Sequence, residues 1–158
     1  MKTYIFERKT LIPQPPERVF PFFERPENLA EITPPSMGFE ILTPPPVPMQ
    51  IGTVIDYTVR ALGVRLHWRT LITDYRPPYN FVDVQLKGPY KFWHHTHRFE
   101  RHPEGTLMYD RVVYALPFGW LGRLIHALAV RRQLSAIFEF REKVIKNQNV
   151  QLKGSGII

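Results

Sequence analysis

The sequence predicts an α+β fold in which a curved antiparallel sheet of six to seven strands wraps a long C-terminal helix. Three observations carry this. Strand-like runs follow one another with only Gly- and Pro-rich turns between them, which makes neighbours antiparallel. After Pro117-Phe118-Gly119 the apolar spacing changes from two residues to three and four. A sheet with one polar face needs a cover for the other, and the terminal helix is the available one.

The elements follow in order. Residues 4–12 read as a strand closed by Pro13, and Pro15-Pro16-Glu17 opens a short helix through Phe23. Pro26-Glu27-Asn28 starts a second one through Ile32, which Pro34-Pro35 stops. Strands are expected at 38–43, 53–61, 64–76, 80–87, 90–101 and 106–116, each bounded by proline or glycine. Over 120–147 the residues Leu121, Leu124, Leu128, Leu134, Ile137, Phe138, Val144 and Ile145 repeat as one buried helical face requires. Residues 1–147 are expected to form one domain. The remainder, 148–158, has no periodicity and includes Gly-Ser-Gly, as a disordered tail or expression remnant would.

Composition narrows the chemistry. The absence of cysteine excludes disulfides, thiolate metal sites and thiol nucleophiles, and suits a reducing compartment. Charge enters early, at Lys2, Glu7 and Arg8, unlike a signal peptide, and no apolar run reaches the ~18 residues of a spanning helix, so the protein is expected in the cytoplasm. The net charge of +7 is dispersed, and its plainest meaning is solubility. No nucleic-acid partner is expected, because the basic sheet face (Arg65, Arg69, His94, Arg98, Arg111) has no base-stacking aromatics interleaved beyond Tyr109.

Alternation sorts the strand residues into faces. Toward the helix point Ile55, Tyr57, Val59 and Ala61, then Val64, Leu66, Trp68, Thr70 and Ile72. The same parity gives Trp93, His95, His97 and Phe99, then Met108, Asp110, Val112, Tyr114 and Leu116. From these faces and the helix, Tyr57, Val59, Leu66, Trp68, Trp93, Val112, Tyr114, Phe118, Leu124 and Leu128 are the candidate ligand-binding residues. Phe118, Trp120 and Leu121 are also candidates for a lip in transient contact with a membrane surface.

Three polar residues lie on those apolar faces: His95, His97 and Asp110. The turn at 103–105 brings Asp110 near His97 or Phe99 across the ladder. A carboxylate beside an imidazole in an apolar cup is an acid/base candidate; a buried pair that only satisfies itself is the plainer reading. No metal or cofactor is expected. His95 and His97 share a face, but a catalytic zinc needs a third ligand, with Asp110 the one nearby.

The order of elements, with Pro15-Pro16-Glu17-Arg18-Val19-Phe20 opening the first helix, resembles the START-like or SRPBCC superfamily. Phe81-Val82-Asp83-Val84-Gln85-Leu86-Lys87-Gly88-Pro89-Tyr90 resembles its bacterial ligand-binding branch, as do Trp93-His94-His95-Thr96-His97-Arg98-Phe99 and Phe138-Glu139-Phe140-Arg141. So does the run from Asp110 to Gly119. The resemblance covers about 4–146 and implies a helix-grip fold related to polyketide cyclases/dehydrases and coenzyme-Q-binding proteins. It implies a cavity for a lipid, isoprenoid or polyketide-like molecule, held by a carrier or sequestering protein. The alternative is a cyclase/dehydratase-type enzyme without cofactor, using His95, His97 and Asp110 in the same cavity.

Overall fold

In the computed structural model, which describes residues 1–61, 63–125 and 129–147, seven strands form one antiparallel sheet. They are β1 (Tyr4–Ile12), β2 (Glu40–Ile41), β3 (Val54–Ala61), β4 (Val64–Arg76), β5 (Asn80–Lys87), β6 (Phe92–His102) and β7 (Gly105–Ala115). Their spatial order is β1-β7-β6-β5-β4-β3-β2, so only β1 is placed by a long connection. The helices are α1 (Pro16–Phe23), α2 (Gly119–Ile125) and α3 (Arg131–Asn147).

The inward parity read from the sequence is the buried parity except at the start of β4, where Val64, expected inward, is 58% exposed because it lies at the strand's open end beside Gly63. Ile55, Val59, Trp68, Ile72, Trp93, Phe99, Met108, Val112 and Tyr114 are buried, and so are His95, His97 and Asp110. Outward cations instead meet outward acids. Arg69 donates to Asp56, Arg65 lies 3.0 Å from Glu40, and Arg111 lies 3.1 Å from Glu7. That face is the solvated side of the sheet. An irregularity between Ile72 and Asp74 flips β4, so that Tyr75 turns inward against Phe20 at 5.9 Å.

Helix α1 buries Val19, Phe20 and Phe23 against β6 and β7. Pro21 inside it removes one backbone hydrogen bond, and the three packed side chains keep the short helix in place. Helix α3 spaces Leu134, Phe138, Arg141 and Ile145 along its buried stripe. Arg8 of β1 clamps it, its Nε donating to Glu142 at 2.9 Å.

Some expected elements differ. The strand over 38–43 is only Glu40–Ile41, because Gly38 takes a left-handed φ of 49° on one side and prolines follow on the other. The second short helix is a 3₁₀ turn, Pro26–Ala30, and another, Pro35–Met37, stands where the stop was expected. The expected helix over 120–147 is present as α2 and α3, and 126–128, with Leu128, lie outside the described residues, as does 148–158. Among the described residues no helix is long and apolar enough to cross a membrane.

Candidate ligand cavity and its histidine–carboxylate cluster

A cavity of about 180 Å³ lies between the sheet, α3 and the 3₁₀ turns. Its walls are mostly apolar. Tyr57 stacks on Trp68 at 5.9 Å, and Trp68 meets Trp93 edge-on at 5.1 Å. Ile55, Ile72, Leu134 and Phe138 complete the strand and helix sides, and Leu29 and Met37 close the front.

One wall is polar. On β6, His95 and His97 stand side by side with ring centroids 3.7 Å apart, between Asp83 of β5 and Asp110 of β7. His95 Nε2 donates to Asp110 Oδ1 at 3.0 Å, and His97 Nε2 donates to Asp83 Oδ2 at 2.9 Å. His97 Nδ1 lies 3.1 Å from the same Asp110 oxygen, close enough for strong attraction but poorly aligned for a hydrogen bond. His95 Nδ1 faces Asp83 Oδ2 at 3.5 Å. From α3, Arg141 Nη1 reaches within 3.7 Å of Asp110 Oδ1.

Electrostatics separate the two rings. Burial lowers the pKa of His95, neighbouring His97 lowers it further, and it is held neutral with its Nε2–H on Asp110. Burial also acts to lower His97, but Asp110 and Asp83 outweigh it and raise its pKa above the ordinary value. Burial alone would raise both carboxyls; the imidazoles reverse this and hold Asp110 and Asp83 below their usual range. With His97 protonated, two negative charges (Asp83, Asp110) face two positive ones (His97, Arg141), which is how buried charges are tolerated.

Asp83, His95 and His97 turn their ligand atoms to within 4.8 Å of one another. A zinc bound at about 2.1 Å by both rings would hold their centroids roughly 5 Å apart. At 3.7 Å the rings are too close for this, so the set as it stands is a hydrogen-bonded cluster.

The sequence-derived residues divide by position. Tyr57, Val59, Trp68, Trp93, His95 and His97 line the cavity. Val112, Tyr114 and Asp110 are fully buried in the wall behind it, and half-buried Leu66 is not among the lining residues. Phe118 and Leu124 are placed outside it, 75% and 49% exposed. The cause is local: Phe118 adopts φ 66° and Gly119 φ 50°, which turns α2 away from the cavity.

Asp83 and Arg141 were missed. Both had a signal. Asp83 shares the inward parity of Phe81 on its strand, and Arg141 falls at the three-residue step after Phe138 on the buried stripe of α3. A charge at an apolar position is the mark of a buried polar site.

An open antiparallel sheet gripping a C-terminal helix around such a cavity defines the helix-grip, SRPBCC class of ligand-binding folds. The chain belongs to the polyketide cyclase / dehydrase and lipid transport family, whose model matches residues 12–138. No curated protein matches it. Solved structures share the fold. One from Thermus thermophilus is 18% identical, covering 92% of this chain and 98% of that one, at TM-score 0.64. Another from Mycobacterium smegmatis is 14% identical, covering 92% and 91%, at 0.65. A Thalictrum norcoclaurine synthase bound to a transition-state analogue is 11% identical, covering 92% and 96%, at 0.65.

Proposed function

We propose that the chain carries or sequesters a hydrophobic small molecule of lipid, isoprenoid or polyketide type, with one oxygen function of that molecule held by Arg141. The carrying observation is a set of orphaned donors in an apolar cavity. Arg141 is 9% exposed, lines the cavity, and its Nε and Nη1 meet no hydrogen-bond partner among the described residues. Trp68 Nε1 is buried and unpartnered in the same way. Buried donors of this kind cost free energy unless something accepts from them, and a ligand carbonyl, hydroxyl or carboxylate does so.

Native mass spectrometry of gently purified protein tests this. The expected result is a co-purified apolar ligand whose occupancy on the folded protein falls at least tenfold in Arg141→Met, together with a lowered melting temperature because Asp110 loses a counter-charge. Equal occupancy in the variant would remove Arg141 from the reading; no ligand, and no uptake of fatty-acid or polyphenol probes, would remove the carrier itself.

A second reading has its own support. His95 is neutral, its Nε2–H is fixed on Asp110, and its bare Nδ1 lies in the cavity wall beside Asp83. That is the arrangement of a general base backed by a carboxylate, with His97, whose pKa Asp110 and Asp83 raise, alongside as the candidate acid. Turnover of an enolisable carbonyl substrate that disappears in His95→Gln, while ligand occupancy persists, would favour the cyclase/dehydratase alternative.

A further inference from the structure

The start of β1, the β3–β4 turn, the β5–β6 connection and the exit of β7 gather at one end of the sheet, since Tyr4 pairs with Tyr114, Ala61 with Val64 and Phe92 with Ala115. The described residues that meet there, 1–4, 60–61, 63–65, 87–93 and 114–121, contain no Asp or Glu. Among the described residues Glu40, on the edge strand β2, reaches this end by engaging Arg65; Asp56 on Arg69 and Glu7 on Arg111 pair further along the strands.

The cations at this end differ from those at the other. Lys2, Arg60, Lys87, Lys91, Arg131 and Arg132 are exposed, and none forms an ion pair among the described residues. At the opposite end Arg18 is likewise outside any ion pair among the described residues, but Arg76 lies on Asp74 and Arg101 on Glu17, so acids stand among the cations there. Dispersed charge for solubility would not sort itself this way. The same acid-free end also carries large apolar side chains in solvent: Phe118 at 75% exposure, Trp120 at 69%, Leu124 at 49% and Leu121 at 43%, and Leu86 and Phe92 are exposed where β5 ends and β6 begins. The left-handed Phe118 holds the first of these outward rather than against the sheet.

We propose that this end docks on an anionic lipid bilayer, with Phe118 and Trp120 entering the headgroup region and the unpaired Lys and Arg side chains lying on its surface. Aromatic and leucine side chains rimmed by cations, without carboxylates, are what an interfacial element requires. A second copy of the chain is a poor occupant, because it presents the same cations and would be repelled. The docked end also adjoins the ligand cavity. A groove between the 3₁₀ turn at 35–37, Arg60 and the first turns of α3 shares Met37, Gln133 and Ile137 with the cavity lining. A molecule leaving the bilayer would have a short path inward. The docking surface stands on charge sorting and exposure, independently of what the cavity holds.

Sedimentation of the full chain with vesicles tests the proposal. Vesicles of phosphatidylcholine with phosphatidylglycerol should pull the protein down, phosphatidylcholine alone should retain at least tenfold less, and 0.5 M salt should release it. Phe118→Ser/Trp120→Ser should lose binding at least tenfold with an unchanged melting temperature, and Lys87→Glu/Lys91→Glu should weaken it separately. Equal binding to both vesicle types, binding by the serine variant at the wild-type level, or a wild-type dimer in light scattering that the serine variant dissolves would each overturn it.

Discussion

The concave face of the sheet has a filled half and a hollow half, built from the same strands. At the filled end, Phe20 packs on Phe99 and Phe81 with ring centroids 5.3 and 5.9 Å away, Phe23 lies 5.4 Å from Phe99, and Met108 and Ile12 close the gaps. At the hollow end the aromatic rings of Tyr57, Trp68 and Trp93 stand around open space. Strand β6 crosses the boundary: Phe99 belongs to the filled half, Trp93 to the hollow half, and His95 and His97 lie between. His97 stacks on Phe81 at 4.1 Å, so one ring is shared by core and cavity wall. A close-packed half supplies stability that a ligand cavity by its nature forgoes. The polar cluster sits at the seam, where the core holds its partners rigid and the cavity exposes them.

That division is broken most directly at Phe20. Phe20→Ala, at a residue 1% exposed and in ring contact with Tyr75, Phe81 and Phe99, should cost about 3–5 kcal/mol in denaturant unfolding. A loss below ~1.5 kcal/mol would mean that the α1 end is not the tightly packed half.

The seam comes next. Asp110 is 3% exposed and meets His95, His97 and Arg141. Asp110→Asn leaves two cations facing one carboxylate and should cost about 3 kcal/mol, in the range for an uncompensated buried charge. Its pH dependence has a definite sign. The folded carboxyl has a pKa below the unfolded value of about 3.9, so the unfolded chain takes up the proton first and its contribution falls as pH drops. The stability gap between wild type and Asp110→Asn should therefore shrink below about pH 5. His97 runs the other way: its raised folded pKa stabilises fully below about 6.5 and is lost as pH rises through the folded value. A gap that is constant from pH 7 to pH 3 would mean that Asp110 is not ionised in the fold.

The fold was more legible in the sequence than the site, for a physical reason. Gly63, the Pro77-Pro78 pair and Gly105 mark turns by backbone chemistry alone: β4 begins after the first and ends at the second, β5 begins after the second, and β7 begins at the third. Strand alternation then placed His95, His97 and Asp110 inward, and the register puts His97 opposite Asp110. Asp83 and Arg141 escaped because a charge among apolar positions reads as an interruption until its partners are known. Leu124 misled because helical periodicity was carried as one face through 120–147, whereas α2 points its leucines outward while α3 buries Leu134 and Phe138. Empty space leaves no mark in a periodicity. Trp68 in the cavity wall and Phe99 in the core obey the same alternation.

The smallest effect sharpens the contrast between faces by comparing two neighbours on one strand. Asp110 points into the seam; Arg111, the next residue, points to solvent and pairs across the ladder with Glu7 at 3.1 Å. Both are ion-pair members, yet their side chains are 2% and 49% exposed. In water the attraction between Arg111 and Glu7 is weak, the entropy of holding both long side chains offsets much of it, and salt screens the rest. Arg111→Ala should thus change stability by no more than about 0.5 kcal/mol, and 0.5 M sodium chloride should erase even that. The Asp110→Asn loss should survive the same salt, because its partners are shielded from solvent ions. Parallel denaturant titrations at low and high salt read both effects. If Arg111→Ala costs as much as Asp110→Asn, or if salt abolishes the Asp110 effect, then burial is not what separates the two faces of β7. Unequal and differently screened losses from adjacent residues would show that alternation along one strand has divided surface charge from the charge the cavity uses.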